Sequence, residues 1–255
     1  MGLMSLFGKG PLSEKRIGKA AQLACNAFAQ PDVRMREMQR LLDDGSPAAL
    51  RGVLKRFGAN ASGNIADEEE KKYLEDAMVD LGDAAIQPLE SYIRSGTQLS
   101  YALRAYRRLR GGDAATAFFL DVLKAYGPDD HRSSEAKLQI IWQLADDLSV
   151  PAVLDVLTEF LQDHSDDVRW AIMDLLERGA DEKLLSEQAR VAACGYLAEL
   201  VTTDDTGPRI IKRAAEILCA REWQLGGEAD ALAGQLDDAY FVDKKRFVRK
   251  RVQRP

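Results

Sequence analysis

Apolar residues recur along most of this chain at helical spacing, broken by short polar turns. Between 167 and 179, Val168, Ala171, Ile172, Leu175 and Leu176 stand three, four, seven and eight positions on from the first, which is one stripe on an α-helix. Asp166 or Asp167 is placed to cap its start and Gly179 to stop it. Upstream, Pro151 opens a helix to about residue 161, with a stripe of Val153, Leu154, Leu157, Phe160 and Leu161. Two short amphipathic helices with a tight polar link must bury their stripes against each other and against neighbours, as an αα-hairpin does.

The shape repeats. The spacing predicts helices over 83–95 and 97–110, over 112–126 and 133–147, and over 187–202 and 206–221. A further pair, 46–57 and 67–81, spans the longer polar loop "GANASGNIAD", and 13–29 with 31–43 fits less regularly. Equivalent positions are separated by roughly 25–45 residues, the range of helical solenoids.

One unit, "VPAVLDVLTEFLQDHSDDVRWAIMDLLERGAD", resembles a HEAT repeat. Its Pro-led first helix is followed by Asp-x-Val-Arg-x-x-Ala and a Leu four residues later, carried by Asp166 or Asp167, Val168, Arg169, Ala171 and Leu175. The whole chain is similar to bacterial proteins described only as HEAT-repeat-containing, which implies a fold and no activity. The expected class is all-α, a right-handed α-solenoid of about five to six HEAT-like hairpins. Residues 1–45 would be N-terminal capping helices, 46–226 the repeat array, and 227–255 a C-terminal cap and basic tail. The resemblance also implies that second helices line a concave face, and that Arg169 ties to an acid of an adjacent repeat as a repeat ladder.

On a helical wheel of about 100° per residue, Trp170 points away from the stripe, beside Met173 and Glu177. Aligned second helices put Asp76, Tyr101, Ile140 and Arg213 level with Trp170, and Val79, Arg104, Gln143 and Glu216 level with Met173. The expected partner-binding face is therefore Tyr101, Arg104, Ile140, Gln143, Trp170, Met173, Glu177 and Arg213. Large apolar anchors inside a polar rim suit a protein partner. Trp142 falls on the stripe Leu138, Ile141, Trp142, Ala145 and is expected in the core. Trp223, after the last repeat, is expected to seal an open end.

Charge adds one feature. The chain's net charge is −6, yet seven basic residues face one acid from Asp243 to Pro255, a net of +6 that leaves −12 for residues 1–242. The tail's "YFV" and "RFVRKRV" around "DKK" allow a small β-hairpin. Its basic residues, Lys244, Lys245, Arg246, Arg249, Lys250, Arg251 and Arg254, either meet nucleic-acid phosphates or belong to a hairpin docked on the last repeat. Three distant cysteines, Cys25, Cys194 and Cys219, read as reduced thiols of a cytoplasmic protein. The N-terminal "MGLMSLFGKGPLSEKR" has no run fit for a signal peptide or membrane span; Leu3, Met4, Leu6 and Phe7 are expected to cap the first helix.

Catalytic chemistry has little to stand on. His131 and His164 lie in polar turns without a nucleophile at useful spacing, "LFGKGPL" lacks the Walker spacing, and "ADEEEKK" reads as an acidic helix start favoured by the helix dipole. No catalytic residue, metal, cofactor or small-molecule substrate is assigned. The leading expectation is a non-catalytic protein-interaction scaffold. A nucleic-acid-binding protein is the alternative, supported by the tail and by Arg104, Arg107, Arg108 and Arg110 but opposed by the acidic body. A HEAT-like DNA glycosylase, faintly suggested by Trp170 with Asp174 and Glu177, comes third.

Overall fold

Short amphipathic segments punctuated by Pro, Ser and Gly fold here as helices joined by tight links. The structure, a computed structural model, describes residues 11–131, 134–203, 205–236 and 239–251. Leu3, Met4, Leu6, Phe7 and Arg254 lie outside the described residues. The chain divides into two compact units, Met1–Ala117 and Phe118–Pro255. The first holds α1 (Glu14–Ala24), α2 (Pro31–Asp44), α3 (Pro47–Leu54), α4 (Asn64–Asp80), α5 (Asp83–Ile93) and α6 (Ser100–Arg110). The division falls within α7 (Gly112–Tyr126). The second holds α8 (Ser134–Leu144), α9 (Pro151–Glu159), α10 (Asp166–Asp181), α11 (Glu187–Thr202), α12 (Pro208–Arg221) and α13 (Ala229–Ala233), then β1 (Tyr240–Val242) and β2 (Val248–Lys250).

Proline occupies the first turn of α2, α3, α9 and α12, where its missing N–H costs no helical hydrogen bond. Ser46 and Ser186 cap α3 and α11 through their hydroxyls. Helices α3, α8 and α9 each finish in a 3-10 turn, at 55–58, 145–147 and 160–162.

Within each unit the helices pack as pairs in two layers. In the first, α1, α3 and α5 stack side by side while α2, α4 and α6 form the second layer. In the second, α9 stacks on α11, and α8, α10 and α12 run alongside one another. The fold is thus all-helical with repeating helix-pair contacts, consistent with a helical repeat. The expected β-hairpin is present: β1 and β2 pair antiparallel, Tyr240 opposite Lys250 and Val242 opposite Val248. It docks on α12 through β2, with Val248 and Tyr240 buried. Trp223 is buried just before the bridge between Gln224 and Phe247.

Three local readings need correction. Gly179 does not stop α10, which runs on to Asp181. It lies buried where a Cβ would stand 2.9 Å from Cδ1 of Leu154, so its role is close approach of α10 to α9. Secondly, the buried face of α8 is Lys137, Ile140, Ile141 and Leu144, and Trp142 is 59% exposed. The register differs because a charged residue takes a core position. Lys137 and Asp163 are both fully buried, Nζ to Oδ2 2.6 Å, and Nζ also donates to the Pro128 carbonyl at 3.3 Å. Asp163 in addition accepts from the Ser165 N–H at 2.9 Å, tying the α9–α10 link to α8. Thirdly, Ser165 precedes α10 as its N-cap without a side-chain cap bond, and Asp166 and Asp167 lie within its first turn. The acidic run "ADEEEKK" does open α4, with Asp67 in the first turn, and Glu70 and Lys71 are buried besides. The Glu70 carboxylate accepts from Arg34 of α2 (2.7 Å) and from Arg56 of the 55–58 turn (2.9 Å). Asp67 accepts from Arg56 (2.6 Å), Lys71 (2.7 Å) and the Ala61 N–H (2.7 Å). This network fastens the 58–67 loop against α2 and α4.

Candidate binding face on the second helices

Neighbouring second helices are bridged by arginines of the later helix reaching acids of the earlier one. In the first unit, Arg104 and Arg108 of α6 hold Glu75 of α4 at 3.0 and 3.1 Å, and Arg108 also holds Asp76 at 2.6 Å. In the second, Arg213 of α12 pairs with Asp174 (2.9 Å) and Glu177 of α10, and Arg221 with Glu177 (3.4 Å) and Asp181. Burial works to lower the Arg213 pKa, and its hydrogen bond to Asp174 and the charge of Glu177 outweigh it, for a net rise. Hydrogen bonding to Asp181 is the main cause of the raised Arg221 pKa. These arginines stay cationic, and the ladder is a fixed part of the layer.

The expected partner face is divided by this geometry. Ile140 and Met173 are fully buried; both would have to leave the core to meet a partner. Each second helix buries one arc against the first-helix layer and another against neighbours in its own layer, which a single-stripe alignment does not anticipate. Arg104, Glu177 and Arg213 belong to the ladder. Gln143 is half-buried. Tyr101, half-buried, stacks on Phe57 (centroids 5.7 Å apart) beneath the Arg104 guanidinium (4.4 Å). Trp170, half-buried, lies under Arg209 at 4.0 Å and Arg213 at 5.5 Å. Arg169 pairs within its own helix, with Asp166 at 3.2 Å; among the described residues no ion pair ties it to an acid of an adjacent helix pair.

What pattern reading missed on this layer is Trp142. Arg178 of α10 donates to the Ala145 carbonyl at the end of α8 (3.1 Å). With Lys137 turned inward to Asp163, Trp142 turns outward, and nothing local in the sequence marks that pairing.

The basic tail is partly occupied. Arg249 pairs with Glu222 and, at 3.2 Å, with Asp243. Arg246 donates to the Gly226 carbonyl, and Arg251 to the Tyr240 carbonyl, both at 3.2 Å. Lys244, Lys245 and Lys250 are exposed. The two histidine rings lie with centroids 4.1 Å apart and planes tilted by 41°, and Nε2 of His164 lies 3.1 Å from the Ser134 hydroxyl. Among the described residues there is no cluster of His, Cys, Asp and Glu fit to hold a metal, and no helix is long and apolar enough to cross a membrane.

The chain matches no family model, no curated protein and no solved structure.

Proposed function

We propose that this chain is a non-catalytic scaffold of HEAT-like hairpins that holds a protein partner on the second-helix layer of its C-terminal unit. The observation that carries this reading is Trp142, 59% exposed on a helix whose other large apolar groups are packed. An indole standing in water gains from a partner, and tryptophans are over-represented among the residues that dominate binding energy. Charges of the α10–α12 ladder would form the rim, and Trp170 under its two arginines would be a second, stiffer contact. Exposed Lys244, Lys245 and Lys250 favour nucleic-acid binding as the alternative.

The test is capture from native lysate with the full chain, Trp142→Ala, Trp170→Ala and a 1–242 truncation, each with and without nuclease. A partner that survives nuclease and is lost with Trp142→Ala supports the scaffold. Material lost with nuclease and with the truncation, yet retained by Trp142→Ala, overturns it in favour of the tail.

A further inference from the structure

A groove of about 400 Å³ opens in the N-terminal unit between α2 and α4. The two helices run in parallel. Arg34 meets Glu70 near their starts, and further along the Tyr73 hydroxyl donates to Oε1 of Gln39. Past that contact the groove has an apolar lining of Leu42, Ala77 and Leu81, and Asp43 and Asp80 stand exposed on its rim. Helical rise puts Asp43 about 6 Å beyond Gln39 and Asp80 about 10.5 Å beyond Tyr73, so the two carboxylates are staggered by about 4.5 Å along the groove. Burial raises the Tyr73 pKa and the charge of Asp43 raises it further, so the field of Asp43 reaches across to α4.

Both acids stand at the end of a helix that favours cations. Asp43 lies in the last turn of α2 and Asp80 closes α4, beside the negative pole of each helix dipole, and neither last turn holds a basic residue. In the same layer α6 ends on Arg107, Arg108 and Arg110, the arrangement the dipole prefers. Neighbouring acids have partners. Asp44 accepts from the N–H groups of Leu12 (2.6 Å) and Ser46 (3.2 Å), and Asp76 pairs with Arg108 (2.6 Å) and Lys72 (3.8 Å). Asp43 accepts from a neutral donor, Nε2 of Gln39 at 2.8 Å, and Arg40 next to it is turned to Glu37 at 3.3 Å. Among the described residues no cation pairs with Asp43 or Asp80.

We propose that this groove docks a lysine- or arginine-rich segment of a partner protein. The segment's cations answer Asp43 and Asp80, and their aliphatic stems lie along Leu42, Ala77 and Leu81. Lysine and arginine suit a groove with an apolar lining and an acidic rim because each carries both kinds of surface. An anionic or wholly apolar partner would leave two carboxylates uncompensated beside the carbonyl ends of two helices. The groove belongs to the N-terminal unit and Trp142 to the C-terminal one, so this proposal and the scaffold reading can fail separately.

The experiment is fluorescence anisotropy of the full chain at low salt with a labelled Gly-Lys-Lys-Leu-Lys-Lys-Gly peptide. A second peptide carries diaminobutyric acid in place of lysine, which keeps the charge and shortens each stem. The lysine peptide should bind saturably, and the short-stemmed one about fivefold more weakly, as lost apolar contact demands. Asp43→Asn and Asp80→Asn should each weaken binding about threefold, the scale of an exposed ion pair, and together about tenfold. Both variants relieve an unfavourable dipole contact, so far-UV circular dichroism should stay that of the parent. Asp32→Asn, in the exposed first turn of α2 and away from the groove, should bind as the parent. Absence of saturable binding, a double variant that binds as the parent, or equal weakening by Asp32→Asn would overturn the assignment. Equal affinity of the two peptides would overturn it as well, reducing the contact to attraction between net charges.

Discussion

At the residue scale, Gly179 and Lys137 show what single side chains decide. Gly179 sits in the body of α10 with no room for a methyl group, since the contacting Leu154 is itself buried. Overpacking outweighs the better helix propensity of Ala. Gly179→Ala should lower stability by about 1–2 kcal/mol, read from the urea midpoint by tryptophan fluorescence. Trp142, Trp170 and Trp223 all lie in the C-terminal unit, so the emission follows the right part of the chain. Adding Leu154→Ala should remove most of the Gly179→Ala penalty, as expected of two residues in contact; additive losses would place the cause elsewhere. The Lys137–Asp163 pair allows a parallel cycle. Losing one partner strands a buried charge, so Lys137→Met should cost about 3–5 kcal/mol. Lys137→Met with Asp163→Asn should recover a good part of it. A double variant as unstable as the sum of the singles would deny the pairing.

At the scale of elements, the hairpins were legible and their orientation was not. Pro, Ser and Gly punctuation brought α2, α3, α9 and α12 within a few residues of their true limits. The stripe method assumes one buried arc per helix, and that held well for α9. It failed on α8, where Lys137 disguised the inward face and put Trp142 on the wrong side. It failed again on α10, where Met173 is buried beside Val168, Ile172 and Leu176. Long-range ion pairs were illegible for a different reason: Arg34, Arg56 and Glu70 are far apart in sequence, and none carries a local signal of its partner.

That network predicts pH dependence. Burial works to raise the pKa values of Glu70 and Asp67, and their hydrogen bonds outweigh it: to Arg34 and Arg56 for Glu70, and to Lys71, the Ala61 N–H and Arg56 for Asp67. Both fall below their ordinary values of 4.5 and 3.8. The unfolded chain therefore binds these protons more readily than the folded one. The stabilisation is complete above the ordinary values and is lost as pH falls through the lower folded ones. Glu70→Gln should be less stable than the parent by about 3–5 kcal/mol at neutral pH. The gap should close on acidification, followed by urea unfolding and far-UV circular dichroism from pH 7 downward. A gap that stays constant would mean that Glu70 does not carry this dependence.

At the scale of the whole molecule, each unit repeats one plan of two helix layers, a buried ionic clamp and an arginine ladder across the second layer. The ladder has a consequence for binding. Arginines held by neighbouring acids present a balanced surface, so the acidic character read from net charge does not extend evenly over that layer. On the proposed scaffold reading a partner would be selected by the exposed indole more than by bulk charge, and its capture should change little with salt.

The most direct measurement of the central claim is site-specific photo-cross-linking in living cells. A photoreactive amino acid replaces Asp146, exposed one turn on from Trp142, in one strain, and Val191 in another. Val191 is exposed, at 57%, but stands on α11 in the first-helix layer. The scaffold reading predicts a discrete cross-linked protein from position 146, lost when Trp142→Ala is added, and none of that mass from position 191. Equal products from both positions, or none from 146, would contradict it.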